Sequence, residues 1–178
     1  MAIARAFTPV KLICGVLASD EEVFEHAQAA LIRDFGPLEK RSADVDFTFT
    51  DYYEKQMGAG LKKKLLSFRD LIDPESISRI KVHTNSMEKR IRKFFLAKNR
   101  IVNLDPGYLT ASALIMATVK DFSHRIPLQN GIYGHLELLF TRREIRVLDW
   151  TYPDYRTGEF HRFLREVRNS YLEQLRQL

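Results

Sequence analysis

The stretch Pro9-Val10-Lys11-Leu12-Ile13-Cys14-Gly15-Val16-Leu17 is almost continuously apolar. A short run without alternation suits a strand buried on both faces, near the middle of a sheet. The segments that follow are therefore read by how they could pair with it or cover it. Ser19-Asp20-Glu21-Glu22 opens a helix, with Ser19 as cap and Glu22 three residues later completing a capping box. Val23, Phe24, Ala27, Leu31 and Phe35 form its apolar stripe, and Gly36-Pro37 ends it. Val45, Phe47 and Phe49 alternate with Asp44, Asp46, Thr48 and Thr50, as in a strand with one wet face. After a bend at Met57-Gly58-Ala59-Gly60, the run Leu61 to Phe68 reads as its hairpin partner, with Lys62-Lys63-Lys64 at its start.

Asp73-Pro74-Glu75 opens a second helix, with Asp73 as cap and Pro74 in the first turn. Ile77, Ile80, Thr84, Met87, Ile91 and Phe94 repeat at helical spacing, with Lys81 and Asn85 on an adjoining face. A strand, Ile101 to Leu104, leads to Asp105-Pro106-Gly107, which reads as a turn. The run Ala111 to Val119 reads as a helix capped by Thr110, although Leu114, Met116 and Thr118 also alternate. Ile126 and Leu128 precede Gln129-Asn130-Gly131, a strong hairpin signal, and Ile132 to Phe140 returns. A further hairpin at Thr141 to Glu144, a Trp150 to Arg156 loop and an amphipathic helix from Phe160 to Leu175 complete the chain. The first part runs β-α-β-β-α-β. The fold expected is α+β: a ferredoxin-like split βαβ core, an antiparallel β-hairpin extension and a C-terminal amphipathic helix, in a single domain over 1–178.

The totals agree with such a domain. Of 178 residues, 45% are hydrophobic and 29% charged, ordinary for a globular chain. The only cysteine, Cys14, lies in the apolar run, so it reads as a buried hydrophobe and the expected setting is a reducing cytoplasm. No apolar run approaches the ~20 residues that span a bilayer, and Met1 to Pro9 lacks the long apolar segment of a signal peptide. No membrane partner is therefore expected. Net charge is +5. Acids outnumber bases ten to four between Asp20 and Gly60, while bases outnumber acids twelve to four between Leu61 and Arg100. The second segment could offer a basic face to phosphate or RNA, or be a solvated helix and strand.

Three polar groups carry the candidate chemistry. In the first, Asn103, Asp105 and Tyr108 follow a short apolar strand, where Asp105 could be a general base and Asn103 could orient a substrate. The plain alternative is a turn in which Asp105 bonds its own backbone. In the second, Lys120 and Arg125 would hold an anion, Arg as a planar fork and Lys as a point charge, while His124 moves a proton. The alternative is a polar loop with Arg125 paired to Asp121. In the third, Tyr152 and Asp154 stand in an aromatic loop whose rings, with Tyr52 and Tyr53, could stack on a base or sugar, or simply roof a core edge. Asp51 joins Asp105 and His124 as a group able to handle a proton or a divalent metal. His83 and His135 are weaker candidates. No HExxH pattern, Cys/His metal spacing, GxxxxGK[ST] loop or GxGxxG turn is present, so no metal or cofactor is assigned.

The phrases Phe49-Thr50-Asp51-Tyr52-Tyr53-Glu54, Asn103 to Leu109, Ala117 to Asp121 with His124-Arg125-Ile126, and Trp150 to Arg156 resemble those of a bacterial domain-of-unknown-function family, number forty-four sixteen. The similarity runs from Val10 to about Val167. It implies a stand-alone bacterial protein of this size and brings no activity, substrate or assigned residue with it. The leading expectation is a small-molecule or nucleotide-phosphate binding protein, with catalysis left open. The alternatives are an RNA or ribonucleoprotein binding module, or a protein-interaction subunit without chemistry. Oligomeric state is left open.

Overall fold

A computed structural model describes residues 3–178. Met1 and Ala2, the start of the N-terminal segment read above, lie outside it. The apolar opening run forms β1 (Val10–Ala18), buried at every position. The remaining strands are β2 (Leu38–Arg41), β3 (Val45–Asp46), β4 (Lys62–Ile72), β5 (Val102–Leu109), β6 (Ala113–Thr118), β7 (Arg125–Pro127), β8 (Tyr133–Phe140) and β9 (Ile145–Val147). They form one nine-stranded sheet in the order β2-β4-β1-β5-β6-β8-β7, with β3 beside β4 and β9 beside β8. Every pairing is antiparallel. The helices are α1 (Glu21–Phe35), the single turn α2 (Glu54–Met57), α3 (Ile77–Phe94) and α4 (Gly158–Leu175). No helix among the described residues is long and apolar enough to cross a membrane.

Alternation along β1 divides the interior. Leu12, Cys14, Val16 and Ala18 face one side, where Phe24, Ala27 and Leu31 of α1 and Ile80, Met87 and Ile91 of α3 close an apolar layer. Cys14 is buried there, and burial pushes its thiol far up, so it is packing rather than a nucleophile. Ile13 faces the other side, where Leu65, Leu114 and Leu138 meet Phe160, Leu164, Val167 and Tyr171 of α4. Beyond the reach of α4, Leu17 is covered by Phe47, Met57 and Leu61 of the segment between β3 and β4. The space between these two covers holds the candidate site.

The local signals act as read in most places. Asp73 caps the short 3-10 turn Pro74–Ser76 that leads into α3, its carboxylate accepting from Glu75 N at 2.9 Å. The Asn130-Gly131 pair takes positive φ at both residues, and Leu128 N donates to Ile132 O across the loop. Four expectations are corrected. The cap of α1 is Asp20, not Ser19: its carboxylate accepts from Glu22 N and Val23 N. The alternating run from Val45 is a strand only over Val45–Asp46, and Leu38–Arg41 supplies the other pairing with β4. Ala111 to Val119 is no helix. It contains β6, and the Thr110 hydroxyl instead accepts from Ser112 N and Ala113 N in the β5–β6 turn. Pairing on both edges of β6 decides this against local preference.

The fourth correction concerns Asp105-Pro106-Gly107, which is the middle of β5 and not a turn. β5 pairs with β1 throughout but with β6 only from Gly107 onward. Leu104 therefore has a strand on one side only, and its free backbone groups are taken by α3. Leu104 N donates to Glu88 Oε1 at 2.7 Å, and Lys81 Nζ donates to Leu104 O at 2.8 Å. Alternate residues direct their N–H to the same side, so the Pro106 nitrogen faces this open margin, where no ladder donor is needed. Gly107 is needed for closeness. A Cβ there would meet Met116 Sδ at 2.4 Å and Ile115 O at 2.5 Å.

Candidate functional site

Where β6 diverges from β5, the sheet surface opens into a cavity of about 510 Å³. Its floor is built from charges that the strands carry inward. Lys63 of β4 lies beside Gly15 of β1, whose missing side chain makes the room: a Cβ there would stand 2.9 Å from Lys63 Cε. The Lys63 ammonium bonds Asp154 Oδ2 at 2.6 Å and sits 4.5 Å over the Tyr155 ring. Both ionic partners are buried. Burial alone would pull this ammonium down, but Asp154, the Tyr155 phenol and Asp105 outweigh it and hold the pKa well above the usual lysine value.

The second charged row runs from α3 to β5. Lys81 Nζ is 3.1 Å from Asp105 Oδ1, and Asn103 Nδ2 donates to the other oxygen of Asp105. Asn103 Oδ1 in turn accepts from Arg100, which pairs with Glu88 at 2.7 Å. Burial pushes the Asp105 carboxyl up, yet Lys81 and Lys63 prevail and hold it below its ordinary value. Glu88 goes the other way. Burial pushes it up more than Arg100 and the Leu104 N–H pull it down. Asp105 is therefore a carboxylate fixed in its ionised form by two ammonium groups.

The far wall is a row across three strands. Met116 of β6 stands opposite His135 of β8, which stands opposite Arg125 of β7. One residue later the β6–β8 register slips, which leaves Glu137 without a partner in β6; it shares the face of His135, two residues before it, and has no exposure at all. Glu137 Oε1 accepts from Tyr152 N at 2.6 Å. Its Oε2 lies 3.0 Å from His135 Nε2, close enough for charge pairing but off the line of a hydrogen bond. Arg125 donates from Nε to His135 Nδ1 at 3.2 Å, from Nη1 to Lys120 O and from Nη2 to the Tyr152 hydroxyl at 2.6 Å. It makes no pair with Asp121. The mouth is aromatic, with Phe47, Phe49, Tyr52 and Tyr53 on one side and Tyr152 on the other. Burial pushes the Tyr53 and Tyr152 phenols up, so both are hydrogen-bond donors at neutral pH.

Of the residues expected from sequence, Asn103, Asp105, Lys120, Tyr152 and Asp154 line this cavity. His124 and Arg125 stand behind the wall, in contact with His135 and Tyr152, which do line it. Two expected residues are elsewhere. Tyr108 packs on the α1/α3 side of the sheet, because it is three residues from Asp105 and the strand alternates. Asp51 is exposed and does not line the cavity, although its neighbours Thr50 and Tyr52 do.

A family model described as "Domain of unknown function (DUF4416)" matches residues 8–171, a span that includes every residue of the cavity wall. The chain belongs to the DUF4416 family. No curated protein and no solved structure matches it. In this DUF4416 chain the site contains groups that sequence reading passed over: Lys63, Lys81, Arg100 and Glu137. Lys81 did carry a signal, since it stands one residue from Ile80 on a helix otherwise turned toward the core. Lys63, inside the run Leu61 to Phe68, carried a similar one, but the flanking Lys62 and Lys64 made it look like a solvated face. Glu137 carried a weak one, since it stands two residues from His135 and so on the same face of its strand, but nothing in the sequence showed that this face is buried there.

Proposed function

We propose that the cavity binds a small anionic molecule, a phosphorylated metabolite or a nucleotide phosphate. The observation that carries this reading is its charge. Lys63, Lys81, Arg100 and Lys120 line it against only two carboxylates, Asp105 and Asp154. Lys63 and Lys81 are each committed to one of those carboxylates. Lys120 has no ion-pair partner among the described residues, and its ammonium lies 4.5 Å from the Tyr52 ring. It is the cation free to meet a ligand, and a lysine serves an oxyanion as a point charge. A volume of about 510 Å³ lies within the usual range for small-molecule pockets. The aromatic mouth adds apolar area for the rest of such a ligand.

The reading takes the chain as one domain in a cytoplasmic setting with a ferredoxin-like split βαβ core. The strand order β2-β4-β1-β5, with α1 and α3 on the same face, supports that core. The RNA alternative keeps the exposed Lys89 and Arg92 of α3 but loses two of the three lysines before it. Lys63 is paired inside the cavity and Lys64 is buried against Glu21 and Asp44, so the lysine run is no exposed basic stripe. No metal is assigned, since no three His, Cys, Asp or Glu side chains form a metal-ligating group among the described residues.

The test is a thermal-shift panel of inorganic phosphate, sugar phosphates and nucleoside monophosphates beside their uncharged counterparts. A ligand present at about one hundred times its Kd stabilises the folded state by about 2.7 kcal/mol. At least one phosphorylated compound is expected to raise Tm, its uncharged counterpart to have no effect, and Lys120→Ala to remove the shift. Equal shifts from charged and uncharged members, or none from any of them, would sink the reading.

A further inference from the structure

A second hollow lies at the end of α3 and shares Arg100 with the cavity. It measures about 330 Å³ and is lined by Lys55 and Gln56 of α2, Arg92 of α3, and Lys98, Asn99 and Arg100 of the turn that follows. The ending of α3 brings these residues together. Leu96 takes a positive φ of 51°, Leu96 N donates to Lys93 O, and Ala97 N donates to Arg92 O. Such a pair of bonds around a left-handed residue reverses the chain at a helix end. Lys98 to Arg100 therefore return alongside Arg92 instead of running on from it.

Of the six lining residues four are cations and none is an acid. Lys55, Arg92 and Lys98 are exposed and make no ion pair among the described residues. Nor are they spent on the helix end, where cations commonly meet the last carbonyls. Ile91 O, Arg92 O and Lys93 O already accept from Phe95 N, Ala97 N and Leu96 N. Arg100 spends Nε on Val102 O and Nη2 on Glu88 and Asn103, which leaves both hydrogens of Nη1. Like charges drawn from two helices and a turn repel one another, and no carboxylate in the hollow offsets that cost.

We propose that this hollow is a second anion site that takes the terminal phosphate of a phosphomonoester. Such a group carries nearly two charges and three acceptor oxygens. Lys55 and Lys98 would meet it as point charges, and the guanidinium groups of Arg92 and Arg100 as directed donors. A phosphate within an RNA backbone has one charge and two free oxygens, and successive phosphates need a stripe of cations. The hollow is instead one concavity between α2 and the end of α3. It stands whether or not the cavity binds an anion.

Amide NMR of the full chain is followed as inorganic phosphate, and separately dimethyl phosphate, is added at fixed ionic strength and slightly alkaline pH. Inorganic phosphate is expected to shift the Lys55, Gln56, Lys98 and Asn99 signals together to saturation. Dimethyl phosphate, a monoanion, should bind more weakly by on the order of tenfold. Lys98→Gln and Arg92→Gln lie at exposed positions that the fold tolerates, and each should weaken phosphate binding by on the order of tenfold. Lys89→Gln removes the same charge one turn before Arg92 and outside the hollow, so it should change binding by less than about twofold. In Lys120→Ala, where the cavity has lost its free cation, the signals of the hollow should still saturate; this separates failure here from failure of the cavity reading. Co-sedimentation with phosphatidylcholine vesicles that contain phosphatidic acid, lost in Lys98→Gln, would place the phosphomonoester on a lipid, and no co-sedimentation would place it on a soluble molecule. Signals that do not saturate together, or a Lys89→Gln protein weakened as much as Lys98→Gln, would overturn the inference. So would a short RNA that binds more tightly than phosphate and shifts Lys89 along with the hollow.

Discussion

The two faces of β1 differ in what covers them. On the even-numbered side, Leu12, Cys14, Val16 and Ala18 meet two long helices in a largely apolar layer, with the buried Lys64 opposite Val16 paired to Glu21 and Asp44. On the odd-numbered side, α4 covers Ile13, the segment around Phe47 covers Leu17, and Gly15 lies between them above the cavity floor. Charge enters where the cover stops. A buried ion pair such as Lys63–Asp154 costs desolvation that its attraction barely repays, so an apolar pair would serve stability as well. On the even-numbered side the buried Lys64 ammonium pairs with the solvent-reached Glu21 and Asp44, whereas Lys63 and Asp154 are both buried beside an open cavity, and that difference favours a role for the cavity charges outside folding.

The sharpest way to break this contrast is to remove one partner of the pair. Asp154→Ala would leave the Lys63 ammonium buried without its carboxylate. Loss of about 3–5 kcal/mol is expected in denaturant unfolding. Lys63→Met with Asp154→Leu should recover most of it while abolishing any anion-dependent thermal shift. If the double variant keeps that shift, the floor charges have no part in binding.

Gly107→Ala tests the hinge between the faces. The added methyl would overlap Met116 Sδ and the Ile115 carbonyl. The backbone atom cannot swing aside as a side-chain end can, so a loss of about 1–3 kcal/mol is expected. Because Gly107 is the first residue that β6 pairs with, separation of β5 from β6 should also expose the Ile115 amide to hydrogen exchange. A stable variant with unchanged exchange would show that the two strands need not approach so closely.

Sequence reading found the α1/α3 face more completely than the cavity face, for a physical reason. Helix stripes such as Val23, Phe24, Ala27 and Leu31 repeat with a local period, so their burial is written in neighbouring residues. The cavity was found in part, through Asp105, Lys120, Tyr152 and Asp154, which are polar residues at unusual places. The rest depended on pairing. Asp105-Pro106-Gly107 has turn chemistry, and only the late arrival of β6 lets it lie within a strand. Tyr108 looked like a neighbour of Asp105, but the same pleat sends it to the opposite face.

Acid titration sharpens the contrast at single groups. The folded-state pKa of Asp105 lies below its unfolded value. Its stabilising contribution is therefore full above the unfolded value, near 3.9 for an ordinary Asp, and is lost as pH falls through the folded value. Glu88 has a raised folded pKa, so its protonation offsets part of that loss as pH falls. Asp105→Asn should accordingly flatten the fall in stability below about pH 4, whereas Glu88→Gln should remove an opposing gain that lies at higher pH, above the unfolded Glu value near 4.3. Parallel acid limbs in the native protein and both variants would mean that neither carboxyl titrates as its neighbours require.

The smallest stability effect belongs to Lys120, and that is what makes it informative. Lys120 is exposed, and its ammonium lies 4.5 Å from the centre of the Tyr52 ring. An exposed cation over an aromatic face is worth about 0.5–1 kcal/mol at most. Lys120→Ala should then shift the unfolding midpoint barely, by no more than that amount. If Lys120 is the cation left free for a ligand, the same substitution should weaken binding of a phosphorylated compound far more than it weakens the fold. Calorimetric titration and unfolding on one protein sample would separate the two. Lys120→Arg should retain most of the binding, since the charge is kept. A variant that loses stability and affinity in equal measure would instead make Lys120 a prop for the Tyr52 segment, and the charge excess of the cavity would need another explanation.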